Sequence, residues 1–349
     1  MKNIIKYCAI LFALVLAGSI ITSCVNVGML IVRGIADQDV GQIKIDGEVV
    51  FDLDNLVEEG AFEEVEGGFR LFGIQFGGTR ETKSGAYYVT EPVEEIWVDG
   101  VNGELEIVRG DTFCVTYQNI PVDYRMEVKD GKLILKDESV SVFVVGILTE
   151  NPYLCLTIPE DVELSKLTVD NGSGKLVVMD VVTEALILDG GSGSMTAENI
   201  VAKNIFIDGA SGSTKVRNVT AKESRFDMGS GSLTVKESVL GTTKLDSGSG
   251  SCRFETVQAH NFSANSGSGR IVYEGELTGN CIFDSGSGSI RLDVVGAKED
   301  YSIRASLGSG GLYVNGRKEG SGSYVSNKDG VNSLVFDTGS GRVSVNFSE

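Results

Sequence analysis

The stretch Leu186-Ile187-Leu188-Asp189-Gly190-Gly191-Ser192-Gly193-Ser194-Met195-Thr196-Ala197 decides the fold, because its pattern recurs along the chain. Its tripeptide Gly-Ser-Gly begins at Gly172, Gly191, Gly229, Gly248, Gly267 and Gly286, and Ala210-Ser211-Gly212 fills the one gap. Seven copies thus follow one another at 19 residues, without insertion or deletion. Further copies begin at Gly308, Gly320 and Gly339. A flexible glycine-serine linker keeps no such register, and here the intervening segments are apolar and β-branched. A fixed period of this length marks a stacked repeat.

Three positions ahead of each tripeptide stand Val169, Leu188, Ile207, Phe226, Leu245, Ala264 and Phe283. Five ahead stand Leu167, Leu186, Ile205, Ser224, Thr243, Phe262 and Cys281, and the position between is mixed. Behind the tripeptide the same alternation returns, as in Leu176 and Val178, Met195 and Ala197, Leu233 and Val235. Period two on both sides gives two short strands per repeat, each with one face inward. A third apolar position at Val181, Ile200, Val219 and Val257 marks a corner or a third short side. One such unit cannot bury its own apolar face, but stacking at about 4.8 Å does so, and seven regular rungs then span about 30 Å. The expectation is an all-β protein, a β-solenoid of 19-residue rungs with Gly-Ser-Gly corners, the regular rungs lying at about 165–295 within a repeat domain over 91–349.

The rest of the chain is read against that domain. Lys2 and Lys6 precede an uncharged stretch, Tyr7 to Val32, that ends at Arg33 and is long enough to cross a bilayer as a helix. The lysines keep that end in the cytoplasm and place the bulk of the chain outside. Residues 1–33 are therefore expected to be an uncleaved single-pass anchor in the cell membrane. The alternative is a lipoprotein signal, since Ile21-Thr22-Ser23-Cys24 resembles a lipobox in which Cys24 is lipidated after cleavage. Residues 34–90 lack the period and are acidic and glycine-rich, which suits a linker or a cap. Asp130-Gly131 joins Met126-Glu127-Val128 to Leu133-Ile134-Leu135 as a hairpin. Leu156-Thr157-Ile158-Pro159 then leads into the first regular rung. The 31 residues between the copies at Gly308 and Gly339 exceed one period, and the surplus around Asn315–Asp329 is expected to project as a loop or hairpin.

Leu156-Thr157-Ile158-Pro159, then Leu167-Thr168-Val169 running into Gly172-Ser173-Gly174, resembles the bacterial family of putative adhesins, a domain of unknown function; Asp99-Gly100-Val101-Asn102-Gly103 looks like a degenerate rung of the same kind. The resemblance covers about 90–349 and implies an extracytoplasmic β-solenoid, often anchored by a short N-terminal helix. It supplies no catalytic motif.

Charge and chemistry narrow the function. The net charge of −19 disfavours nucleic acid and anionic headgroups and suits cationic ligands. Cys114, Cys155, Cys252 and Cys281 form no metal-ligand spacing and read as small buried apolar residues. Two positions ahead of each tripeptide runs a ladder of Asp170, Asp189, Asp208, Asp227, Asp246, Asn265 and Asp284, with Asp337 at the last turn. Its structural reading is an Asx-turn, each carboxylate accepting backbone N–H bonds from its own corner. Its ionic reading is a column holding Ca²⁺ between rungs. A set of outward cations, Lys215, Arg217, Arg225, Lys236, Lys244 and Arg253, fits either an anionic wall polymer or pairing with Glu198, Glu255 and the aspartate ladder. Catalysis finds no support: the acids form one uniform ladder, His260 is the only histidine, and no nucleophile elbow, phosphate loop or zinc pair is present. No catalytic or cofactor residue is assigned. The expected function is a non-enzymatic, membrane-anchored surface binding or scaffold protein, adhesive or envelope-associated, with an envelope polysaccharide or protein as partner; the rivals are a calcium-stabilised solenoid and a polysaccharide-acting β-helix enzyme.

Overall fold

The computed structural model describes residues 81–100, 103–138, 151–326 and 329–348, and the backbone alone of five short strands between Gln42 and Gly77. The expected anchor over 1–33 and Cys24 lie outside the described residues. Among those described, no helix is long and apolar enough to cross a membrane. The chain divides into two units. One comprises Met1–Glu81 and Ser139–Glu150, and holds a hairpin of Gln42–Ile45 with Glu48–Asp52 and an antiparallel sheet of Phe62–Val65, Gly68–Leu71 and Ile74–Gly77.

The other unit, Thr82–Glu138 with Asn151–Glu349, is the solenoid. Each rung has one strand ahead of its corner and one behind. In chain order, rung 1 is Glu95–Asp99 with Glu104–Gly110, rung 2 is Lys132–Asp137 with Tyr153–Pro159, and rung 3 is Leu164–Asp170 with Lys175–Met179. Rungs 4 to 9 turn at Gly191, Ala210, Gly229, Gly248, Gly267 and Gly286. Rung 10 is Tyr301–Leu307 with Gly311–Val314, and rung 11 is Asn332–Thr338 with Arg342–Ser348. Neighbouring rungs pair in parallel, with the 19-residue register that the sequence predicts: Leu186 opposite Ile205, Ile205 opposite Ser224, Asp208 opposite Asp227.

The third apolar position belongs to a third side. Asp180, Asn199, Asn218, Glu237 and Thr256 all have φ between 51° and 59°, so each rung bends there through the left-handed region, which Asn and Asp tolerate best. Asn218 donates its side-chain amide to Asn199, and Asn199 to Asp180, each at 2.8 Å, which ties three of these bends into a ladder. Beyond the bend, Val181, Ile200, Val219, Ser238 and Val257 turn inward, followed by Ala202, Ala221, Leu240 and Ala259.

Inside, three of the rungs that carry a ring at one of the two inward positions ahead of the corner have a small residue at the other: Ser224 with Phe226, Phe262 with Ala264, Cys281 with Phe283; rung 11 instead sets Leu334 beside Phe336. Phe262, Phe283 and Phe336 then stack at 5.6 and 5.4 Å. Close-packed interiors penalise both voids and overpacking, so in those three rungs the ring moves between columns beside a small partner. Cys252 and Cys281 are buried, and burial pushes both thiols up, Cys281 to about 11. Cys114 and Cys155 differ from expectation: both are half-buried, because they sit on the outward side of their strands.

The order of rungs in space differs from the order in the chain. Tyr153–Pro159 leads on to rung 3 in sequence yet pairs with rung 1, and rung 1 lies between rungs 2 and 3. At the other end rung 11 lies between rungs 9 and 10. The stack therefore reads 2-1-3-4-5-6-7-8-9-11-10. Arg109 staples the first inversion, donating to Pro159 O at 2.5 Å, Val162 O at 2.9 Å and Asp180 O at 3.1 Å. The surplus after rung 10 does not project freely. Arg317–Gly320 and Ser323–Ser326 fold back antiparallel onto rung 10, where they cover its outer edge. The Asp130-Gly131 hairpin forms as predicted, with both residues at positive φ and Met126 opposite Leu135.

Candidate functional site

The Gly-Ser-Gly corners stack into one edge of the solenoid. At the third position of every tripeptide but the one beginning at Gly320, a Cβ would fall 1.8–2.4 Å from the carbonyl oxygen of the neighbouring rung, as Gly212 against Gly193 O and Gly231 against Gly212 O, so backbone meets backbone and only glycine fits. The first position varies from rung to rung: a Cβ would lie 2.1 Å from Gly172 O at Gly191 but 2.9 Å from Ala210 O at Gly229. The central serines (Ser173 to Ser340) all point outward, and in some neighbours their hydroxyls bond, as Ser340 to Ser287 at 3.1 Å.

The aspartate ladder runs beside this edge in unbroken register: Asp170, Asp189, Asp208, Asp227, Asp246, Asn265, Asp284 and Asp337. Asp99 extends it by one rung, opposite Asp170. The predicted turn cap forms on three rungs. Gly172 N donates to Asp170 Oδ1 at 3.3 Å, Gly191 N to Asp189 at 3.1 Å, and Ala210 N to Asp208 at 3.1 Å. On the next two rungs the carboxylates turn to cations instead: Arg225 holds Asp227 at 2.9 Å and Asp246 at 3.5 Å, and Lys244 holds Asp246 at 3.0 Å. Among the described residues Asn265, Asp284 and Asp337 stand exposed without a cap, and no group of three acids, cysteines or histidines able to hold a metal ion is assembled. Burial first, then the Asp170 carboxylate beside it, raise the pKa of Asp99 above the usual carboxylate range, while Lys136 opposes them.

The outward cations are for the most part spoken for. Arg217 pairs with Glu237 at 2.9 Å and Glu198 at 3.7 Å, Lys236 with Glu255 at 2.6 Å, and Arg253 with Glu255 at 3.7 Å. Solvent screens these exposed pairs, so each contributes little to stability. Among the described residues Lys215 has no carboxylate within 4.0 Å. His260 is exposed, its Nδ1 3.1 Å from Thr278 Oγ1.

A shallow, open trough follows the corner edge from Gly103 to Arg342. Its floor is the glycine backbone and its walls are serine hydroxyls: Ser173, Ser192 and Ser211 on one side, Ser194, Ser213 and Ser232 on the other. Nine rungs line it, a length of about 40 Å. The two ends differ in charge. Near rung 1 the charged lining residues are Glu104 and Lys175, which neutralise each other. Near rung 11 they are Arg270 and Arg342, with no acid in the lining. Sequence reasoning missed these two arginines, although each stands where most rungs carry serine, three residues after the start of the tripeptide.

Such a rung order, corner and ladder define a parallel β-solenoid of the kind built from short, glycine-cornered repeats. The chain belongs to the Toastrack DUF4097 family, whose sequence profile matches residues 95–346. Among solved structures it is similar to a putative adhesin from Bacteroides fragilis, at 16% identity over 78% of this chain and 100% of that one, with a TM-score of 0.36. It is also similar to a putative cell adhesion protein from Clostridium sporogenes, at 16% identity over 77% of this chain and 100% of that one, with a TM-score of 0.18. No curated protein sequence matches.

Proposed function

We propose that the chain is a non-enzymatic, membrane-tethered module outside the cytoplasm that works by binding or scaffolding in the cell envelope. The observation that carries this reading is how the polar side chains are used. The ladder acids with partners cap turns or pair with cations, and what the repeat presents outward is a long hydroxylated trough. A hydrolytic or lyase site needs clustered acids with a base in a cleft, and the uniform ladder gives each rung the same acid instead. The N-terminal lysines and apolar run support the tether, and Cys24 supports a lipid anchor as its alternative.

Protease shaving of intact cells tests the placement: loss of the solenoid from intact cells supports it, and full protection would remove it. Capture of residues 34–349 on envelope fractions tests binding. Degradation of any member of a glycan panel, lost on substituting a local acid cluster, would instead make the protein an enzyme. A melting midpoint raised by Ca²⁺ and lowered by chelator would turn the ladder into a calcium column.

A further inference from the structure

Arg270 and Arg342 are an anomaly on this molecule. The chain carries 49 acidic against 30 basic residues, yet among the described residues neither guanidinium has a carboxylate within 4.0 Å, whereas Arg291 on the rung between them pairs with Asp293 at 2.9 Å. Both lie in one row of the trough, Arg270 opposite Ser289 and Ser289 opposite Arg342. Two rung spacings therefore separate them, about 10 Å. Arg342 is held in place by the ring of Tyr313, 4.0 Å beneath it. The rung that carries Arg270 is also the one whose ladder residue is Asn265, so the nearest aspartate of the repeat is absent where the arginine appears. Ser268, Ser287 and Ser340 run alongside.

We infer that this half of the trough, between rungs 7 and 11, is a docking site for an extended acidic glycan whose carboxylates are gripped by Arg270 and Arg342. This deepens the binding reading above and rests on it. A guanidinium offers a planar fork that matches a carboxylate, and the bond is charge-assisted. The exposed hydroxyls between the two forks complement the hydroxyls of sugar rings. An open, straight trough with a regular repeat suits a polymer with its own repeat, and two charges separated by a neutral rung suit acidic sugars alternating with neutral ones. Nucleic acid fits poorly: the one nearby ring, Tyr313, already carries Arg342 on its face and offers no free platform for a base. Overall charge opposes any polyanion at long range, so binding depends on these two contacts and weakens with salt.

The test is affinity electrophoresis and calorimetry of the full chain in detergent, at low salt, with polygalacturonate, neutral dextran and inorganic polyphosphate as probes. Polygalacturonate is expected to bind and dextran not. Arg270→Gln, which breaks no ion pair among the described residues, is expected to weaken binding about tenfold, Arg270→Lys to restore part of it, and Arg270→Gln with Arg342→Gln to abolish it. Arg291→Gln is expected to leave binding unchanged. No retention by polygalacturonate, equal loss in Arg291→Gln, or retention by polyphosphate alone would each overturn the proposal. If the double variant still captures envelope material, the binding module stands and this site falls; if the wild type captures none, the broader reading falls with it.

Discussion

Rungs 3 to 5 and rungs 6 to 9 carry nearly the same corner sequence and fold it in two ways. In the first group the residue after the aspartate is Asn171, Gly190 or Gly209, and the next residue takes positive φ: 56° at Gly172, 47° at Gly191 and 32° at Ala210. A turn then closes, with Gly193 N donating to Gly190 O at 2.9 Å and Gly212 N to Gly209 O at 2.8 Å. In the second group that residue is Met228, Ser247, Ser266 or Ser285, its side chain is buried, and the strand runs one residue further before it bends. Ser285 Oγ then accepts from Gly288 N at 3.1 Å, doing from inside what the aspartate does from outside. The residue after the aspartate thus decides whether the chain turns at once or runs one residue further; of the buried serines only Ser285 caps with its hydroxyl, Ser247 and Ser266 Oγ having no hydrogen-bond partner among the described residues. The space left by the glycines is not wasted: the Met195 methyl lies where a Cβ on Gly190 would fall, and the Met228 methyl does the same for Gly209.

The largest effect should come from what the two groups share. Gly193→Ala and Gly250→Ala each drive a Cβ to 1.9 Å from a backbone oxygen and should cost at least about 3 kcal/mol each or prevent folding. Denaturant melts that show one of them tolerated would mean the two corners do not share a backbone contact. Next comes the contrast itself. Asp189→Ala removes a cap and should lose about 1 kcal/mol, whereas Asp284→Ala should change the midpoint little. Equal losses in the two would erase the distinction drawn here. Ala210→Gly relieves a left-handed alanine, worth about 1–2 kcal/mol. Glycine's extra freedom in the unfolded chain offsets part of that, about 0.5–1 kcal/mol, so a small rise in stability is expected by thermal melting. Smallest is Asp99. Its raised pKa means that the folded chain holds the proton more tightly than the unfolded chain, so its contribution is full at acid pH and is lost as pH rises through the raised value. Asp99→Asn should raise the melting midpoint slightly at neutral pH and not at all near pH 3; a gain that persists at acid pH would point to packing instead.

Much of this was legible in the residues, and the limits have physical causes. The period, the inward columns, the Asx caps and the hairpin at Asp130-Gly131 follow from local rules of alternation and turn chemistry. The two kinds of corner were also written in the chain, at the position immediately after each aspartate, but a serine there reads like any other serine until its burial is known. The third side had its signal in Asp180, Asn199 and Asn218, whose spacing matches the repeat. The inverted order of rungs had none, because every rung offers the same apolar alternation to either neighbour and nothing in a strand names its partner. For the same reason Arg270 and Arg342, 72 residues apart in sequence, could not be placed two rungs apart.

That inversion alters how the molecule is completed. A repeat array made in spatial order can zip as it emerges, each rung closing on the one before. Here rung 10 is synthesised before the rung that will lie beneath it. Asn332–Ser348 lies between rungs 9 and 10, where Asn332 Oδ1 takes a bond from Gly279 N at 2.9 Å and Asn346 Nδ2 gives one to Asp293 at 2.7 Å. The segment acts as a keystone. Without it, rungs 9 and 10 would each lose the neighbour that pairs with both of their strands here.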